Sequence, residues 1–184
     1  MSEQMSELSV EIRPFEAGDA AAVQAMIARV PEGDRTFFKE DARDASYVES
    51  WADAPGRRLI AVDGDRVLGC VGVIPLTGWS EHVGEVRLVV DPQARGQGLG
   101  RVLARGGLLA ALELGLHKIF VEVVSSEVRV VRMFEANGFE PEGVLRGHVR
   151  DAEGQAHDLV VLAHQVDETW AGMLTAGIDE AVGA

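Results

Sequence analysis

Along the chain the spacing of apolar residues switches between two periods, and the switches mark out strands and helices. Leu8, Val10 and Ile12 alternate with Ser9, Glu11 and Arg13, which predicts a strand over 8–13 ended by Pro14. From Asp19 the period lengthens. Val23, Met26, Ile27 and Val30 share one face of a helix predicted over 20–30. Pro31-Glu32-Gly33-Asp34 breaks it, and Tyr47, Val48 and Trp51 mark a short helix near 45–52 closed by Pro55-Gly56. Strands follow over 58–62 and 67–75, joined by the hairpin turn Asp63-Gly64-Asp65, and then over 83–90. A helix runs from 101 to about 116 and a β-branched strand over 118–124. Ser126 is the expected N-cap of a helix to 136 or 137, with Gly138-Phe139 as its C-terminal signal. Strands over 143–150 and 157–165 form a closing hairpin, and Trp170, Leu174 and Ile178 share one side of a last predicted helix.

This order reads as an α/β fold whose sheet is mostly antiparallel at its start, with a parallel crossover after residue 90. The expected division is a disordered polar tail over 1–7, one domain over 8–166 and a helical extension over 167–184. The apolar stripe of that extension either covers the core or buries a homodimer contact. At 184 residues, 47% of them hydrophobic, the chain can bury a substantial core. A net charge of −13 argues against nucleic acid as a partner. Cys70 is the only cysteine and sits in an apolar run, so it is read as a buried, inert thiol. The start of the chain lacks a basic n-region and an apolar h-region, and no apolar run approaches about 18 residues. These features predict a cytoplasmic protein with no membrane segment. No Cys/His cluster has metal-ligand spacing, so no metal is expected.

The chemistry gathers in residues 85–101. The β-rich run 86–90 meets Asp91-Pro92, then Gly96, Gly98 and Gly100, then a helix. A glycine loop that opens a helix lets backbone N–H groups approach an anion. Arg101-Val102 stands where a P-loop needs Lys-Ser/Thr. The glycine register also misses the dinucleotide fingerprint, and the strand is not the first in order.

Arg95-Gly96-Gln97-Gly98-Leu99-Gly100 resembles the Gln/Arg-x-x-Gly-x-Gly/Ala signature of the GNAT superfamily of acyl-CoA-dependent N-acyltransferases, and Met133-Phe134-Glu135-Ala136-Asn137-Gly138-Phe139 resembles its second box. The resemblance covers 8–165. It implies a mixed, centrally splayed β-sheet flanked by helices, and acetyl-CoA as co-substrate. The pantetheine arm would lie along Leu88, Val89 and Val90, where the family strand bulges. The pyrophosphate would sit on Arg95, Gly96, Gln97, Gly98, Leu99, Gly100 and Arg101, with Arg105 one turn on. Glu85 matches a glutamate that serves some members as general base; the alternative is a structural glutamate paired with a neighbouring strand or arginine. The oxyanion donor would be a backbone N–H near Val90.

Two positions depart from the family pattern. Phe134 stands where many members carry a tyrosine that protonates the thiolate, and Glu127 where an asparagine contacts the cofactor. That leaves Ser125 or Ser126, through water, as proton donors. Family analogy also nominates Arg35, Phe37, Phe38, Trp79, His82, His148 and Asp158 for the acceptor side, with a His148–Asp158 pair across the hairpin. The reading is an N-acetyltransferase acting on a primary amine of a small molecule or a protein. The alternative is an acyl-CoA-binding regulatory module with little catalysis.

Overall fold

Alternation at the start of the chain produces β1 (Glu11–Pro14), the edge of a seven-stranded sheet. The computed structural model describes residues 10–35 and 44–166. Helix α1 (Ala20–Arg29) follows a short turn held by Asp19, whose carboxylate accepts two hydrogen bonds from Arg13 at 2.7 and 2.8 Å. The expected break at 31–34 is instead a single helical turn, α2 (Glu32–Arg35), because Pro31 occupies the position before a first turn where its missing N–H costs nothing. Next come α3 (Ala45–Glu49), β2 (Arg57–Asp63), β3 (Arg66–Pro75) and β4 (Val83–Val90). Helix α4 (Leu99–Glu113) leads to β5 (Lys118–Val124), α5 (Val128–Glu135), β6 (Glu140–Arg150) and β7 (Ala156–Gln165). Ser126 does not cap α5. It lies in a turn with Ser125, whose N–H is drawn to the Asp158 carbonyl at 2.9 Å, and Glu127 takes the cap position. The tail over 1–7 and the extension over 167–184 lie outside the described residues.

The strand order is β1-β2-β3-β4-β5-β7-β6, antiparallel except for the β4–β5 pair. One face packs Leu103, Ala104 and Ala111 of α4 and Phe134 of α5 on Val71, Val73, Val86, Ile119 and Leu162. The other packs Val23, Met26 and Ile27 of α1 and Val48 of α3 on Ile60, Val67 and Cys70. Cys70 is enclosed as expected, and burial pushes its thiol up to about 12. Gly107 lets α4 press close to the sheet, since a Cβ there would come within 3.3 Å of Val71 Cγ2. Among the described residues no helix is long and apolar enough to cross a membrane, and no group of three or more His, Cys, Asp or Glu side chains could hold a metal.

The feature that positions the site is the short β4–β5 ladder. It joins only Val83↔Lys118, Gly84↔Ile119 and Glu85↔Phe120, although both strands continue well beyond. Past Glu85 the two strands part, and the sheet is split at its centre. The β3–β4 ladder, by contrast, runs from Pro75↔Gly84 to Gly69↔Val90 without a register shift, so the expected bulge near Val90 is absent from that pairing.

Candidate functional site at the parting of β4 and β5

Where β5 leaves it, β4 changes character. Gly84, Glu85 and Val86 are buried, whereas Arg87, Leu88, Val89 and Val90 are half-buried. The β3 side of the strand is fully paired, so its far edge over 86–90 presents backbone donors and acceptors into the gap. An extended amide-containing arm can add to such an edge as a strand would.

At its end β4 enters the loop through Asp91, whose side chain is wholly buried. Asp91 Oδ1 accepts from the Gln93 N–H at 2.9 Å, and Oδ2 accepts from Arg29 at 2.8 Å and Arg66 at 3.0 Å. Burial alone would raise this carboxyl; the Gln93, Arg29 and Arg66 hydrogen bonds outweigh it and hold Asp91 below the ordinary carboxylate range. Arg66 also donates to Gln93 Oε1 at 2.6 Å, and Arg29 to the Val67 carbonyl at 3.1 Å. The loop root is thereby fastened to α1 and β3.

Beyond this root the loop is exposed from Arg95 to Gly98. Gly96 (φ 80°) and Gly98 (φ 85°) are left-handed, and a Cβ at either would meet nothing within 4 Å. Gly98 is the N-cap of α4 and has no side chain with which to cap it. The first N–H groups of a 15-residue helix therefore project into open space beside the edge of β4, with Arg101 exposed on the first turn. Leu99 turns inward and anchors the turn in the core. This arrangement fits a diphosphate joined to an extended arm. Arg95 is drawn aside, with Nη1 2.8 Å from Asp34 Oδ2.

Glu85 lies at the apex of the split, on the face away from α4 and only 7% exposed. Arg87 shares that face two residues on, and its Nη2 donates to Glu85 Oε2 at 2.8 Å. Burial lowers the Arg87 guanidinium from its ordinary value, and the charge of Glu122 on β5 acts against that. The sequence reading missed Arg87, Glu122 and the Asp91 clamp. Arg87 was within reach from its two-residue spacing to Glu85. Glu122 was not, because strand register across a parallel crossover is not written locally.

The remaining nominated residues are scattered. Phe134 is 1% exposed and edge-stacked on Phe139 at 5.1 Å, so its ring serves the core and presents almost no surface to a cofactor. Glu127 is exposed at the start of α5. Trp79 is fully exposed on the turn before β4, and His82 packs its ring on His117 at 6.2 Å; both lie at the end of β4 opposite the glycine loop. His148 is exposed on the edge strand β6 and does not pair with Asp158, which accepts from the Gly147 N–H at 2.7 Å. The hairpin's histidine–aspartate pair is His157–Asp151 at 2.7 Å. The β6–β7 ladder is interrupted between Leu145↔Leu159 and Val149↔His157, so His148 lies in the irregular stretch of β6, and the Asp158 carboxylate is engaged by the backbone there instead. Phe37 and Phe38 lie outside the described residues, as does the side chain of Arg35.

The family model described as acetyltransferase (GNAT) family matches residues 25–139. Mycothiol acetyltransferases of Actinosynnema mirum and Geodermatophilus obscurus are 38% and 33% identical to this chain over 141 and 145 residues. Those matches cover 71% and 73% of this chain but 44% and 46% of the relatives, so the chain spans less than half the length of these curated relatives. Among solved structures, an acetyltransferase of the GNAT family from Streptococcus pneumoniae aligns with a TM-score of 0.76 and 21% identity over 85% of this chain and 99% of its own. The yncA protein of Salmonella typhimurium, solved with its cofactor acetyl-CoA, aligns with a TM-score of 0.76 and 19% identity over 87% and 95%. At such identities the structural likeness concerns the fold. The family model spans well over half of the sequence and includes the split strands, the glycine loop and both helices that flank them, and on that match the chain belongs to the GNAT family of acetyltransferases.

Proposed function

We propose that the protein is an N-acetyltransferase that moves an acetyl group from acetyl-CoA to a primary amine. The observation that carries the proposal is the continuous run from the open β4 edge to the uncapped start of α4, with Glu85 at the closed end of the gap. Acetyl-CoA supplies an activated acyl group. Leu88, Val89 and Val90 would hold its arm through backbone hydrogen bonds, and residues 96–101 its diphosphate. Glu85 takes a proton from the acceptor amine, because an amine with an ordinary pKa near 10.4 is cationic and non-nucleophilic at neutral pH. The nitrogen lone pair forms the C–N bond, the C–S bond breaks, and the thiolate leaves with the electron pair. A backbone N–H of the open edge near Val90 would take the developing oxyanion. A thiol has a pKa near 8.5, so its thiolate can depart without the tyrosine that Phe134 replaces.

The names of the mycothiol acetyltransferase relatives support trying a mycothiol-class acceptor first, then spermidine, amino acids, glycinamide and peptides. Thiol release from acetyl-CoA across that panel is the test. We expect Glu85→Gln to lower turnover about 100-fold while the acetyl-CoA Kd stays within about twofold. Unchanged turnover would remove Glu85 from the base role. A second reading, an acyl-CoA-binding regulatory module, is favoured by the burial of Phe134 where an acid would stand. Tight acetyl-CoA binding with no turnover on any amine would establish it.

A further inference from the structure

Three charged side chains meet where the split begins. Glu85 and Arg87 project from the same face of β4. On β5, Glu122 lies two places past Phe120, the last residue paired with β4, and so shares its face of the sheet; across the gap its charge acts on the Arg87 guanidinium. Glu85 is buried, and Arg87 and Glu122 are half-buried, so water screens the group poorly. Two carboxylates at such a place repel one another, and a base must be both ionised and aimed to take a proton. A cation fixed between them offsets the repulsion and holds the base in place. Arginine suits the position because burial does not strip its proton, and its fork can hold one carboxylate while facing another.

We propose that Arg87 is a positioning residue for the transfer reaction: set between Glu85 and Glu122, it keeps the Glu85 carboxylate oriented toward the acceptor amine. The proposal rests on the reading of Glu85 as base. It assigns to Glu122 the role of counter-charge, which sets how much compensation the site needs from Arg87. Arg87→Met thus leaves two facing carboxylates, whereas Arg87→Met with Glu122→Gln leaves one.

The test uses the full chain with acetyl-CoA and glycinamide as the amine probe, together with carboxyl 13C NMR of the glutamates, for which no acceptor is needed. Arg87→Met is expected to lower kcat about tenfold with the KM for acetyl-CoA within about twofold. Arg87→Lys is expected to retain about a third of the activity. Adding Glu122→Gln to Arg87→Met should recover part of the loss, and Arg87→Met should cost less than about twofold in a Glu85→Gln background, where nothing remains to be positioned. At neutral pH the Glu85 carboxyl resonance, assigned by its loss in Glu85→Gln, should move in Arg87→Met as the guanidinium contact is lost. An Arg87→Met penalty that persists in full without Glu85, or a Glu85 resonance that stays in place, would overturn the role of Arg87. Unchanged turnover in Glu85→Gln would overturn the base reading instead, and the two failures are separate in the data.

Discussion

The β4–α4 and β5–α5 junctions each carry a strand over to a helix on the same face of the sheet, yet they are built differently. The first takes seven residues after Asp91 to reach Leu99, is rooted on a buried aspartate with two arginine partners, and enters a 15-residue helix through a left-handed glycine. The second takes three exposed residues, Ser125 to Glu127, to reach an eight-residue helix and has no side-chain cap. Both helix ends are positive. At α5 the chain supplies its own carboxylate, Glu127, beside that end. At α4 it supplies none there, and adds Arg101 on the exposed first turn. A strand, a turn and a helix do not by themselves make an anion site. The helix end must be kept open and free of acid, and the loop must be fixed from behind.

The fixing can be broken at Asp91, and the largest effect is expected there. Asp91→Asn removes the charge that two guanidiniums share, and breaking a buried pair costs about 3 kcal/mol or more. Arg29 and Arg66 are partly exposed, so water compensates some of their loss and the lower end of that range applies. Urea unfolding should show the drop, and the acetyl-CoA Kd should rise about tenfold as the loop root loosens. The wild-type clamp also predicts a pH dependence. Because the folded Asp91 lies below the ordinary carboxylate range, its contribution is complete above the unfolded value near 3.9 and disappears as pH falls through the folded value. Acid unfolding of Asp91→Asn should therefore lack part of the wild-type slope below about pH 4. Loss of stability with an unchanged Kd would show that the clamp serves the fold alone.

The open helix end can be tested at Gly98. A Cβ there meets nothing within 4 Å, so Gly98→Ala introduces no clash, only the cost of a left-handed backbone, about 1–2 kcal/mol. The loop can relieve that strain only by rotating its N–H groups off the diphosphate direction. We expect a fivefold to tenfold rise in Kd at ~1 kcal/mol of lost binding, with a small change in Tm. An unchanged Kd would mean that the α4 end is not the anion cradle.

The same contrast explains what the sequence made legible. Glycines at 96 and 98 are a local code, since each left-handed backbone demand is met by the residue at that position; the loop, β4 and the start of the site could therefore be read directly. The two cores were also readable, because Val23, Met26 and Ile27 announce a buried face by period alone. Contacts that depend on register were not readable. The Arg29–Asp91 pair spans 62 residues, and Glu122 reaches Arg87 only through a crossover. His148 and Asp158 looked like cross-strand partners, but the ladder is interrupted between Leu145 and Val149, and Asp158 takes the Gly147 N–H instead. Phe134 was legible as a departure from the family tyrosine, but that its ring would be spent on Phe139 follows from how α5 seats on the sheet.

The smallest expected effect tests the α5 side of the contrast. Glu127 is exposed beside the start of a short helix, so its carboxylate offsets the positive helix end by a few tenths of a kcal/mol in stability. If the cofactor passes near that end, the same charge opposes its phosphates. Glu127→Asn restores the residue type that the family resemblance expects, keeps a capable N-cap and removes the charge. The acetyl-CoA Kd should fall by about twofold to threefold at low salt, and the difference should shrink as salt screens it. Calorimetric titration at two ionic strengths measures both. A gain independent of salt would assign the effect to a hydrogen bond from the asparagine, and no gain at either would place the cofactor's charged end wholly on α4.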